Sequence, residues 1–266
     1  MSEHPIAARW RAIRGNAGTR RAALIPYLTA GFPTPELSLE ALRLVAAAGA
    51  DFVEVGVPFS DPLADGPTIQ RSTQTALDQG MTVPRVLDQI RRAALDIPVV
   101  IMTYLNPLMA FGLERFVREA AAAGASGLLL TDFPAGADPD LEAMVQASPL
   151  ALIRLVAPTT TADRLARAVQ GASGFLYLIS RLGVTGVRDQ VPADLAEHVA
   201  RVRSASALPL AVGFGISTPA QARATARLAD GVVVGSAIVD ALATGGVGAV
   251  ERLVRQLAAA VREGTA

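Results

Sequence analysis

Short apolar runs alternate along this chain with segments in which apolar residues return at helical spacing. After an amphipathic opening around Ala7 to Ile13, the run Ala22 to Leu28 predicts a first strand, closed by Gly31-Phe32-Pro33. Glu36 to Ala48 predicts a helix, with Thr34 and Pro35 placed as cap and first-turn proline, and Phe52 to Val57 predicts a second strand. The alternation continues through helix 83–95, strand 98–104, helix 113–123, strand 127–132, helix 138–147 and strand 150–157. Helix 162–170, strand 174–180, helix 193–204, strand 208–214, helix 219–228, strand 231–234, a short helix 236–243 and a tail helix 247–261 complete it. The strands lack the polar alternation of a half-exposed sheet and read as parallel strands covered on both faces. Eight strand-then-helix units in this length predict a closed (β/α)8 barrel, the open doubly wound sheet being the alternative. No composition break marks a second domain, so residues 1–266 are expected to form a single barrel domain with an extra N-terminal helix.

A barrel of this kind carries its chemistry where strands end and the following loops begin. Those positions hold Glu54, Asp65, Tyr104, Asn106, Asp132, Tyr177 and Arg181. Glu54 stands out, because a single carboxylate inside an apolar strand is expensive to bury unless it is paired or used. The strand runs into a loop read as 58–82, where Pro58, Pro62, Pro67 and Gly66 break regular structure and Asp61 and Asp65 are presented close to Glu54. The other long loop of the same face is 181–192.

Composition narrows the chemistry. Formal charge is zero and no basic block stands out, which removes the electrostatic footprint of a nucleic-acid binder. There is no cysteine, so disulfides, thiolate metal sites and a cysteine nucleophile are excluded together. All 24 basic residues are arginine, so no Schiff base can form on a lysine. Histidine occurs only as His4 and His198, both within predicted helical segments, which leaves proton transfer to a tuned carboxylate or to one of three tyrosines. The opening segment has no apolar core of signal-peptide length and no apolar run reaches membrane-spanning length, so a cytoplasmic location is expected.

Glycines form the second constellation. Strand six leads to Gly183-Val184-Thr185-Gly186, strand seven to Gly213-Phe214-Gly215, and strand eight to Gly235-Ser236 at the start of a helix. Three consecutive late loops thus offer bare backbone N–H groups, a cradle for a phosphate monoester that requires no lysine.

The runs FVEVGVPFSDPLADGPTIQ, YLISRLGVTG, AVGFGIS and GVVVGSAIV, in this order and spacing, resemble the tryptophan synthase α chain family over nearly the whole sequence. The resemblance implies a barrel that cleaves indole-3-glycerol phosphate to indole and glyceraldehyde 3-phosphate as the α subunit of an α2β2 heterotetramer. Pyridoxal phosphate is then expected only on the β chain. It implies catalytic roles for Glu54 and Asp65, phosphate contacts at Gly186, Gly215, Gly235 and Ser236, and active-site positions for Tyr177 and Thr185. Tyr27 and Tyr177 are expected to line an apolar pocket for the indole ring, and Thr185 to sit on a loop that closes over it. Pro58, Asp61 and Pro62 would face the partner chain. Two rival readings are a metal-dependent sugar-phosphate aldolase or isomerase with Asp61, Asp65 and Asp132 as magnesium ligands, and a catalytically silent barrel that only activates a partner. Arg154, inside an apolar run, is an odd residue for a barrel strand and is expected to reach a carboxylate or the barrel end.

Overall fold

The computed structural model describes residues 3–15, 21–179, 193–213 and 215–264. Eight parallel strands close into a barrel in strict sequence order: β1 (Ala23–Thr29), β2 (Val53–Gly56), β3 (Val99–Thr103), β4 (Ala125–Leu130), β5 (Ala151–Val156), β6 (Leu176–Ile179), β7 (Leu210–Gly213) and β8 (Gly231–Val234). The last strand pairs with the first, placing Ala23 beside Gly231 and Pro26 beside Val234. The doubly wound alternative is thereby removed. Strand side chains alternate between two apolar layers. Val53, Val55, Leu176 and Leu178 belong to the outer layer beneath the helices, whereas Ile25, Val100, Ile153, Tyr177 and Ala211 fill the barrel interior. Period-two geometry therefore turns Glu54, between two outer valines, toward the interior.

Helices wrap the barrel. α1 (Pro5–Arg14) precedes it; α2 (Pro35–Ala47), α3 (Pro67–Asp78), α4 (Val83–Ala93), α5 (Leu105–Phe111), α6 (Leu113–Ala123), α7 (Pro139–Gln146), α8 (Ala162–Gln170), α9 (Leu195–Ala205) and α10 (Pro219–Ala226) follow. A final run, α11 (Ser236–Glu263), bends at Gly246, whose φ of 62° lies in the left-handed region that glycine tolerates, so it is the expected short helix and tail helix end to end. Thr34 caps α2 by accepting the Leu37 N–H at 3.3 Å, with Pro35 in the first turn.

The amphipathic α1 plugs the bottom of the cylinder. Trp10 packs on Phe52 and Phe175 with ring centroids 4.8 and 5.8 Å apart, and Ile6 and Ile13 are buried with it. Buried Asp51 fastens the plug, receiving Arg9 at 2.8 Å, Arg21 at 2.7 Å and the Leu24 N–H at 3.1 Å. With its N-terminal end stoppered by aromatic rings, the barrel interior is approached from the C-terminal end of the strands.

Two helices were not expected. The segment read as a loop over 58–82 contains α3, in which Pro67 is not a breaker but a first-turn residue. Its buried face, Ile69, Ser72, Thr73 and Ala76, is too small and polar to register as an apolar stripe. α5 buries only Leu108.

Candidate active site

Glu54 lies in the barrel interior, 1% exposed, and neither carboxylate oxygen has a hydrogen-bond partner among the described residues. Loss of water without compensation raises its pKa to about 8. It pairs in register with Tyr27 on β1 and Val100 on β3. The Tyr27 hydroxyl lies 3.3 Å from Thr29 Oγ1, which in turn lies 2.7 Å from Ser72 Oγ, so the unexpected α3 fixes this tyrosine from above.

Asp65 sits on the tight turn that follows β2. Its N–H donates to the Pro62 carbonyl at 3.1 Å, and its own carbonyl accepts from Gln70 Nε2 at 2.9 Å. Partial burial raises its pKa to about 6, opposed by a hydrogen bond from the Tyr104 hydroxyl. Tyr104, at the end of β3, also accepts the Ala64 N–H at 2.9 Å and stacks on Phe59 at 5.1 Å between centroids, so it clamps the Asp65 turn to the barrel. Its place at a strand end was visible in the sequence; its contact with Asp65 depends on how the loop folds back.

The two carboxylates lie within electrostatic reach of the same two tyrosines. The negative charges of both Glu54 and Asp65 reach the buried hydroxyls of Tyr27 and Tyr177, which burial and those charges hold well above the ordinary phenol range. Two glycines make room for these tyrosines. A Cβ at Gly56 would stand 2.0 Å from the Tyr27 hydroxyl, and one at Gly213 would stand 2.1 Å from the Tyr177 hydroxyl. Tyr27, Ile69 and Val239 form a small apolar cluster here with Phe32 and Met102 against it, a surface for a flat apolar group.

Of the three glycine loops expected to cradle a phosphate, parts of those after β7 and β8 are described. Gly235 caps α11 with Ser236 as its first residue, and Gly235 lies against Tyr27, an added Cβ there standing 3.6 Å from the Tyr27 Cβ. The cradle thus adjoins the apolar pocket. Gly215, with φ of 79°, has no heavy atom within 4 Å of where a Cβ would be. Thr185, Gly186, Gly183 and Arg181 lie outside the described residues.

On the loop between β2 and α3, Asp61 is exposed and accepts from Ser60 Oγ at 2.5 Å, while Pro62 is half-buried and Pro58 is buried. Leu63, 95% exposed, and Met109, 51% exposed, are apolar side chains on loop and helix of the same face. Asp132 accepts the Leu105 N–H at 2.8 Å and so caps α5. Among the described residues no three metal-ligand side chains stand close enough to hold an ion, so Asp61, Asp65 and Asp132 do not form the magnesium set of the rival reading. His4 caps α1, accepting the Ile6 N–H, and His198 pairs with Asp194 at 3.2 Å; neither reaches the cavity.

The family model described as tryptophan synthase alpha chain matches residues 15–264. A tryptophan synthase alpha chain of Nitratidesulfovibrio vulgaris (strain DP4) is 46% identical over 89% of this chain and 93% of its own length. That of Caulobacter sp. (strain K31) is 47% identical over 90% and 87%. In structure, the chain is similar to one in Mycobacterium tuberculosis tryptophan synthase, with a TM-score of 0.90 at 39% identity over 98% and 99% of the two chains. It is also similar to tryptophan synthase subunit alpha of Legionella pneumophila, with a TM-score of 0.89 at 32% identity over 98% and 100%.

Proposed function

The chain belongs to the tryptophan synthase alpha chain family, and on that premise we propose that Glu54 and Asp65 carry the family's reaction here. That reaction is retro-aldol cleavage of indole-3-glycerol phosphate to indole and glyceraldehyde 3-phosphate. The chain acts as the α subunit of an α2β2 complex, delivering indole to a β chain that holds the pyridoxal phosphate.

Breaking the bond between indole C3 and C3' requires C3 to be protonated, the C3' hydroxyl to lose its proton, and the ring nitrogen to be supported while cationic. Glu54 begins as the neutral acid, the form its burial favours, and donates its proton to C3. The resulting carboxylate removes the C3' hydroxyl proton. The oxygen electrons form the aldehyde as the C3–C3' bond breaks, and the bonding pair restores the aromatic ring. Glu54 ends protonated, as it began. Asp65, ionised above about pH 6, accepts the indole N–H and offsets its positive charge. Tyr27 and Tyr177 line the ring pocket, and Gly215, Gly235 and Ser236 offer N–H groups to the phosphate.

The observation that carries this reading is the unpaired burial of Glu54. A barrel kept only to activate a partner would gain stability by replacing it. Asp61 and Pro62, with exposed Leu63 and Met109, supply the surface that docks the β chain, and buried Pro58 stiffens the loop from below. No helix among the described residues is long and apolar enough to cross a membrane; with a small charged substrate and a cysteine-free chain, we place the protein in the cytoplasm as a single domain over residues 1–266. Incubating the purified chain with indole-3-glycerol phosphate, with and without a β chain, and following indole by a colour reaction tests the assignment. Asp65→Asn should cut cleavage by about 10²-fold or more; a folded variant within a few fold of wild type removes Asp65 from the mechanism.

A further inference from the structure

Resting on that reading, we infer that Arg154, on the outer wall of β5 and away from the substrate cavity, is a positioning residue for the cleavage: it fixes the loop between β4 and α7, and through it the Tyr104 hydroxyl against Asp65. On β5, Ile153 faces the barrel interior while Leu152 and Val156 belong to the outer layer, so Arg154 is set among outer apolar residues and is 4% exposed. Its Nη1 donates to the Phe133 carbonyl at 2.9 Å, and its Nη2 stands 2.7 Å from Glu142 Oε1 on α7. The guanidinium carbon lies 5.3 Å from the centre of the Phe133 ring. Glu142 itself accepts the Gly136 N–H at 2.6 Å, so both ends of the ion pair hold the loop over 131–138.

That loop reaches the active-site turn by two adjoining residues. Asp132, next to Phe133, accepts the Leu105 N–H at 2.8 Å and so fixes the backbone just after Tyr104. Thr131, one residue earlier, donates its N–H to the Thr103 carbonyl at 2.9 Å and so fixes the backbone just before Tyr104. Tyr104 then holds the Asp65 turn by accepting the Ala64 N–H at 2.9 Å, and its hydroxyl favours the ionised form of the Asp65 carboxylate. The path from the outer wall to the active-site turn thus runs through hydrogen bonds joined by short stretches of backbone at 131–133, 103–105 and 64–65.

Stability alone does not call for a guanidinium here. A buried ion pair is readily replaced by apolar side chains of similar volume, and Leu152 and Val156 already fill the same layer. What an apolar side chain cannot do is hold the Phe133 carbonyl in place.

The test uses three variants of the full chain. Arg154→Met leaves Glu142 unpaired, so Arg154→Met combined with Glu142→Met removes the pair as a unit and restores packing. Arg154→Lys keeps the charge opposite Glu142, but one ammonium cannot serve both Glu142 and the Phe133 carbonyl in the directions a guanidinium covers. For the double variant we expect a wild-type Tm, a kcat for indole release about tenfold lower, and a KM for indole-3-glycerol phosphate within about twofold of wild type. Amide hydrogen exchange should accelerate about tenfold over residues 104–112 in the same variant and in Arg154→Lys. If kcat and exchange both return to wild type in the double variant, Arg154 is only a packing residue and the inference fails. Should the double variant not fold, Arg154→Lys decides by the same two readouts. A wild-type chain that releases no indole sinks the assigned reaction instead; the exchange measurement still decides for or against the positioning role.

Discussion

At the scale of single residues, the chemistry follows from two carboxylates held in unlike surroundings. Glu54 has no hydrogen-bond partner among the described residues whereas Asp65 has Tyr104 beside it, and their pKa values separate to about 8 and about 6. With Glu54 required as acid and Asp65 as anion, kcat/KM for cleavage should rise through about pH 6, level off, and fall through about pH 8. A profile with a single limb would show that one of the two is not essential. Stability carries the same signature. The folded chain keeps a proton on Glu54 between its unfolded value of 4.5 and about 8, so stability is undiminished below that window and falls as pH rises through it. Glu54→Gln resembles the protonated acid in shape, so its Tm should match wild type near pH 5 and exceed it by roughly 4 °C or more at pH 8.5. Equal melting temperatures at both pH values would mean that water or another group satisfies the carboxylate. Glu54 was legible in the sequence because one acid interrupted an apolar run. Tyr104 was visible only as a residue at a strand end, since the hydrogen bond it accepts from the Ala64 N–H joins the end of β3 to a loop 40 residues earlier.

At the scale of elements, short strands ending in glycine decide how close the tyrosines approach. β2 ends at Gly56 and β7 at Gly213, and each gives up its side chain to a tyrosine hydroxyl on a neighbouring strand. Gly213→Ala must displace the Tyr177 ring, an overpacking that costs about 1–3 kcal/mol and lowers Tm by roughly 2–8 °C. It should also reduce kcat/KM for cleavage, measured by indole release; an alanine variant with unaltered turnover and Tm would show that Tyr177 has room to move. Glycine after a barrel strand reads from sequence as a turn former, so the clash that requires it is seen only in three dimensions. The strands and the larger helices were legible because period and length agreed: β8, α6 and α8 fall where the pattern places them. α3 was hidden by the polar, small residues of its buried face. A helix that packs through Ser72 and Thr73 leaves no hydrophobic stripe, yet it supplies the hydroxyl that steadies Thr29 beside Tyr27.

At the scale of the whole molecule, the fold separates stability from chemistry. The end stoppered by Trp10, Phe52 and Phe175 and by the Asp51 ion pairs is closely packed and largely apolar. The opposite end keeps the unpaired acid, the open glycines and the exposed Leu63 and Met109. On the proposed assignment cleavage and docking share one face, and the loop that carries Asp65 also carries Asp61 and Pro62, a direct route by which a docked β chain would alter the geometry of the reaction. The central claim is that an acid left without a partner in an apolar cylinder moves the proton that splits the carbon–carbon bond. Its most direct test is the rate of indole release from indole-3-glycerol phosphate by Glu54→Gln beside wild type at pH 7, with glycerol 3-phosphate binding measured on both. Cleavage lowered by about 10²–10⁴-fold with the phosphate ligand bound equally well is the expected result, and turnover within a few fold of wild type would contradict it.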